Sequence, residues 1–383
     1  MRRRRLLATL AAGATVLAGC AGGDDGTPAN SGGQPDGGPV DATATATPTA
    51  TVRDVDLPVS GSELRQPLPK DRIAAIVEPA FAPDWSGLDA PEGVDRPLLP
   101  DDAPVVGVER GGTARAYPLR VLNWHEVVNG DLGGPLLVTY CPLCGSSIVA
   151  ERTVGGEPTV FGVSGKLWRN DLVMYDRATG SLWSQLLAAA IQGPRTGDRL
   201  SLLPSAFTSW GEWRDRNPGT EVLLPPPHSN TVRGREATRN YFNPRSSSEG
   251  QLIGYDHETE DGLYSRTFVV SVRHGGAARA YPFDDVRNAG VVNDRVGGLP
   301  VVVTTTPAGG MAAYVRRVGG TTTEFEAADG ELLAAGGSRW ERATGRAVDG
   351  PHEGTTLERA NDEPPMFWEG WSNFHPETDI YGE

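Results

Sequence analysis

Lysine is almost missing from this chain. Of its 35 basic residues only Lys70 and Lys166 are lysines, and the rest are arginines. Cysteine is nearly as scarce, with three in 383 residues. That excludes a disulfide-knit scaffold and leaves the fold to its hydrophobic core. With no second Cys-x-x-Cys, a closed zinc site made of cysteine alone is also excluded. No apolar run is long enough to span a bilayer. A phosphate-binding glycine loop, a dinucleotide fingerprint and any nucleic-acid motif are absent as well. Cations are in deficit overall, the formal net charge being −14, which argues against a nucleic-acid partner.

The chain opens with Met1-Arg2-Arg3-Arg4-Arg5, then Leu6-Leu7 and an Ala/Gly/Val-rich stretch. A basic start followed by a short apolar segment reads as an export signal over residues 1–19, and the arginine pair also suits the twin-arginine route. Leu17-Ala18-Gly19-Cys20 resembles a lipobox, so Cys20 is the expected lipidation site. Cleavage there removes four arginines and no acid, taking the net charge from −14 to −18. Residues 20–66 are dominated by Gly, Asp, Pro, Ser and Thr and are expected to form a disordered tether. Acid excess with arginine in place of lysine resembles exported proteins of salt-loving archaea. The expected address is therefore extracytoplasmic, with the membrane reached through lipid on Cys20.

The remaining sequence contains itself twice. Gly111-Gly112-Thr113-Ala114-Arg115-Ala116-Tyr117-Pro118 recurs as Gly275-Gly276-Ala277-Ala278-Arg279-Ala280-Tyr281-Pro282, and Arg177-Ala178-Thr179-Gly180 as Arg342-Ala343-Thr344-Gly345. Trp210-Gly211-Glu212-Trp213 is matched by Trp368-Glu369-Gly370-Trp371. So long a period marks a duplicated domain, not a solenoid. Expected boundaries are 67–224 for the first copy and 225–383 for the second with its connecting segment. Short β-branched and aromatic runs between Gly/Pro/Asp turns predict strands at 105–108, 136–140, 147–151, 159–163 and 172–175. Short helices are predicted over 118–128 and 210–216. The expected class is β-rich α+β, two pseudo-symmetric copies of a β-meander with short helices.

The reactive residues cluster in the first copy. Cys141 and Cys144, in Tyr140-Cys141-Pro142-Leu143-Cys144, supply a thiol pair at a strand end; Asn123-Trp124-His125-Glu126 adds an imidazole and a carboxylate. Two thiolates and His125 make three ligands for a soft metal, copper(I) or zinc, with one position open. The same thiols can cycle as a disulfide, with Glu126 or Lys166 moving protons. A disulfide that merely pins the turn is the third reading. Ser164 and Lys166 form a Ser-x-Lys pair, which is also an ordinary polar turn. Trp124, Ser164, Asp176, Trp183 and Gln185 are candidates for a ligand-binding wall. Together with Phe161-Gly162-Val163-Ser164-Gly165-Lys166-Leu167 and Asp171-Leu172-Val173-Met174-Tyr175-Asp176-Arg177, these motifs closely resemble the exported proteins of domain-of-unknown-function family three-one-seven-nine. The resemblance is strong from Leu68 to about Leu224 and implies boundaries and a site, but no reaction.

The second copy serves as an internal control. Aligned on the repeat, Trp124, His125 and Glu126 face Asn288, Ala289 and Gly290; Cys141 and Cys144 face Thr306 and Gly309; Trp183 and Gln185 face Val348 and Gly350. Turn and framework residues persist while the reactive set is lost together. That pattern predicts one site in the first copy and a structural second copy. For the anchor, Cys20→Ser is expected to move the protein from the membrane pellet to the soluble fraction on cell fractionation, and an unchanged pellet would exclude lipid on Cys20.

Overall fold

A computed structural model describes residues 50–52, 55–89, 98–235, 241, 257–306, 309–330, 332–361 and 363–383. The export signal, Cys20 and most of the expected tether lie outside these residues. Among the described residues no helix is long and apolar enough to cross a membrane.

Six sheets of three to five strands are arranged like a six-bladed β-propeller. The expected β-richness holds, but the α share shrinks to a few helices of five to seven residues, such as Leu119–His125, Trp210–Arg216, Phe283–Ala289 and Trp368–Ser372. Helices of one or two turns cannot sustain themselves in water and stand here only because their apolar sides are packed. The first is shorter than predicted because the chain turns to positive φ at Glu126 and enters a strand.

The same ladder registers recur in both halves. Val105↔Pro118 is repeated 164 residues later by Val269↔Pro282, and Val128↔Val138 by Val292↔Val303 with a slip of one. In each half a late strand joins the first hairpin in parallel, Glu221 beside Arg115 and Asp379 beside Arg279. A buried asparagine fixes the same corner twice. Asn129 Nδ2 donates to Phe161 O at 2.8 Å and Phe161 N to Asn129 Oδ1 at 2.7 Å; Asn293 and Phe325 repeat both bonds at 2.8 and 2.9 Å.

Two differences matter for the site. Asn129 pairs with Leu137 and Asn293 with Val302, so along these strands Cys141 falls at Thr306, as the repeat alignment has it, and the extra residue of the second half lies in the turn before the strand. In the first half the strands Phe161–Trp168 and Asp171–Asp176 form one long hairpin. The corresponding stretch of the second half instead folds into Glu326–Ala327, Leu332–Ala335 and Ser338–Glu341.

Residues 55–66, expected to belong to the tether, pack instead on the first half. Leu57, Val59 and Leu64 are buried with Trp168, Val173 and Ile191, and Arg65 exchanges two backbone hydrogen bonds with Leu167 at 2.8 and 2.9 Å. Polar composition hid these anchors because three apolar residues suffice when a groove awaits them.

Asn129→Ala leaves the Phe161 amide and the Ile76 and Phe161 carbonyls without side-chain partners in a dry corner. Such loss costs about 1–3 kcal/mol for each orphaned group. Chemical denaturation is expected to show a larger loss for Asn129→Ala than for Asn293→Ala, whose side chain is half-buried and makes two of these bonds.

Candidate functional site

Strand Pro135–Cys141 is a run of β-branched and apolar residues buried on both faces, and it delivers Cys141 to a tight turn that returns at Ser146. Within the turn the Cys144 amide donates to Cys141 Sγ at 3.3 Å, which folds the second thiol back on the first. The sulfurs lie 2.8 Å apart, and both cysteines are buried.

The long hairpin then brings a third group. Arg169 and Asn170 both have positive φ, 51° and 64°, as a two-residue turn with the twist of its strands requires. This turn aims the Asn170 carbonyl at the sulfurs, 3.5 Å from Cys144 Sγ and 3.9 Å from Cys141 Sγ. The next residue, Asp171, puts Oδ1 4.0 Å from Cys144 Sγ. Ligand atoms of Cys141, Cys144 and Asp171 all lie within 4.8 Å of one another, a buried group that can hold a metal ion.

The second half forms the lid of this chamber. Phe367 N donates to Cys144 O at 2.7 Å, and Asn170 Nδ2 donates to Glu369 Oε1 at 2.8 Å. Gly370 lies so close that a Cβ on it would stand 3.1 Å from Cys144 Cβ and 3.2 Å from its Cα. Glycine in Trp368-Glu369-Gly370-Trp371 is therefore what lets that helix rest on the cysteine turn.

Burial sets the electrostatics. The Asp171 carboxyl is pushed up to about 7 by desolvation, although Ser184 and backbone amides pull the other way. Ser184 Oγ donates to its Oδ2 at 2.5 Å and Leu186 N at 3.3 Å. The Cys144 thiol is raised well above its ordinary value by burial first, then by Cys141 and Asp171. Glu126 is pushed up to about 8 by burial alone, and no described residue donates a hydrogen bond to its carboxylate. Its φ of 56° is a conformation that side chains resist; the second half has Gly290, φ 75°, at the same helix end.

The other sequence candidates are distributed as follows. His125 is not in the three-ligand group: its Nδ1 donates to Ala74 O at 2.7 Å and its Nε2 meets Tyr241 Oη at 2.7 Å, so both ring nitrogens are engaged. Gln185 backs the cysteine turn, donating to Thr139 Oγ1 at 3.1 Å and accepting from Ser146 Oγ at 3.0 Å. Trp183 Nε1 donates to Asp176 Oδ2 at 2.9 Å, and Asp176 also caps the Thr179 amide at 2.6 Å, so this pair is internal. Ser164 Oγ donates to Val173 O at 2.5 Å and accepts from the Lys166 amide at 3.0 Å; its hydroxyl is spent on the backbone. Trp124 is half-buried against the first-half core.

Asp171, Asn170, Ser184 and Glu369 were missed by sequence reasoning. Asp171 did carry a signal, being an acid placed straight after a two-residue turn and followed by the apolar run Leu172-Val173-Met174-Tyr175.

For Glu126 the sign of the pH effect is set by its raised value. Between its ordinary 4.5 and about 8 the folded state keeps a proton that the unfolded chain has released, so stability falls as pH rises through that window. Glu126→Gln is expected to flatten the fall between pH 5 and 8 in denaturation curves. Glu126→Gly is expected to add about 1 kcal/mol more by relieving the backbone, and unchanged curves for both variants would remove the buried-acid assignment.

No curated protein and no solved structure matches the chain. A family model described as a protein of unknown function, DUF3179, matches residues 70–378, a span containing both cysteines, Asp171 and the second-half segment that covers them, and the chain belongs to that family.

Proposed function

We propose that this is an extracytoplasmic protein, anchored through lipid on Cys20, whose first repeat (67–224) binds a zinc ion at Cys141, Cys144 and Asp171. The second repeat (225–383) arose by duplication, lost the site and now serves as its cover. The observation that carries the metal reading is the convergence of two thiols, from one strand end and its turn, and a carboxylate from another strand, within 4.8 Å. Two sulfurs suit copper(I) or zinc equally, but a carboxylate oxygen favours zinc, which accepts sulfur and oxygen donors together. Three protein ligands leave one position for a small molecule or water. Ser184 and the Leu186 amide orient Asp171, as outer groups commonly orient a ligating carboxylate. His125 is then a packing residue and not a ligand.

The site is closed to solvent, so metal capture is coupled to folding or to opening of the segment around Phe367. Burial also weighs against an exchanging thiol–disulfide enzyme, since the raised Cys144 thiol is a poor nucleophile at neutral pH. A static disulfide is the second reading, and the 2.8 Å between the sulfurs supports it because little movement would close the bond.

Reduced full-length protein is expected to hold one zinc per chain by elemental analysis. Cys141→Ser should lower affinity at least ~100-fold and Asp171→Asn ~10–100-fold, while His125→Ala retains the metal. Because zinc must displace protons from Asp171 and Cys144, affinity is expected to rise from pH 6 to pH 8 with measurable proton release. Equal metal content in wild type and Cys141→Ser would end the proposal. A purified chain with no titratable thiol even when unfolded would establish the disulfide instead.

A further inference from the structure

The two lysines of the chain are far apart in sequence yet line one cavity. Lys70 and Lys166 face a space of about 510 Å³ whose walls include Pro67, Leu68, Pro69 and Leu182. Segment 66–71 is laced onto the strand Phe161–Trp168 to make this cavity. Leu68 N donates to Gly165 O at 3.3 Å, Asp71 N to Val163 O at 2.9 Å, and Gln66 Nε2 to Ser164 O at 3.2 Å. Lys70 Nζ sits 3.5 Å above the centre of the Tyr175 ring, and the Tyr175 hydroxyl is anchored on Asp71 at 2.9 Å. The first ammonium is thus held in place, not swinging in solvent. Among the described residues no carboxylate lies within 4.0 Å of either ammonium.

Everywhere else this chain uses arginine for positive charge. Retaining lysine at two positions, both on one cavity, implies that a compact ammonium is needed there and a planar guanidinium is not equivalent. Two unpaired cations above apolar walls match a small organic molecule with a short carbon body and carboxylates at its ends. Phosphate recognition commonly uses an arginine fork, and no arginine is among the described residues lining this space.

We propose that the cavity between Lys70 and Lys166 is a binding site for a small organic dicarboxylate. The site is separate from the cysteines and does not depend on whether they hold metal. It fits an acidic protein surface, where an anion is retained only at a point of local positive charge.

The scarcity of lysine makes the test direct. Reductive methylation with carbon-13 formaldehyde labels Lys70, Lys166 and the chain N-terminus, keeps the charge, and yields resolved methyl signals, assigned with Lys70→Arg and Lys166→Arg. Succinate titrated at constant ionic strength is expected to shift both lysine signals with one shared, saturating curve. Succinamide, its neutral counterpart, should leave them in place, and inorganic phosphate should bind at least tenfold more weakly. Lys166→Met is expected to weaken the response of Lys70 at least tenfold, and Lys70→Met, on the exposed rim, to do the same to Lys166. Cys141→Ser should titrate as wild type. Unmoved signals, signals with unrelated midpoints, or equal responses to succinamide or phosphate would overturn the proposal.

Discussion

The amide of Phe367 donates to the carbonyl of Cys144, Glu369 accepts from Asn170, and Gly370 rests against the Cys144 backbone. This contact between halves is what makes the cysteine turn a closed chamber. Cys141 and Cys144 belong to a hydrophobic cluster that also contains Val269, Met366, Trp368 and Trp371 of the second half. That cover contributes to the burial that raises Asp171 and Cys144. The chemistry of the first half is therefore conferred in part by the second.

The two halves show how one frame supports unlike contents. Both keep the asparagine clamp, the Tyr-Pro entry to a short helix and a tryptophan bonded to a threonine seven residues on, Trp213 to Thr220 and Trp371 to Thr378, each at 2.9 Å. Only the first half extends its hairpin over the strand-end turn. In the second half the buried Arg342 guanidinium bonds Gly290 O at 2.8 Å and Thr304 Oγ1 at 2.7 Å, filling the corner with a fixed cation. Glu126 against Gly290 makes the same point in backbone terms. The second half has relaxed to the residue that positive φ favours, while the first keeps a buried acid there at some cost in stability.

Much of this frame was legible in the chain. Short β-branched and aromatic runs between turns marked the strands, most of them to within two residues, the helix over 210–216 was placed to the residue, and the repeat was visible as words. The six blades were not, because the three sheets of each half share no sequence period with one another; only the half repeats. Residues 55–66 were misjudged because composition averages away three anchoring side chains. His125 looked like a ligand by its closeness in sequence to the thiols, whereas its ring is turned toward Ala74 and Tyr241.

The amino-acid sequence by itself determined where the reactive groups are concentrated, since a Cys-x-x-Cys at the end of an apolar strand is a local feature set by neighbouring residues. It also determined that one half would carry them, because the other lacks the side chains. Only the tertiary structure decided which groups meet. Asp171 is brought to the sulfurs by a two-residue turn and a strand pairing, Phe367 and Gly370 by the packing of one half on the other, and Lys70 to Lys166 by a segment crossing a sheet edge. Those meetings depend on register and close approach between residues distant in sequence, and spacing along the chain does not encode them.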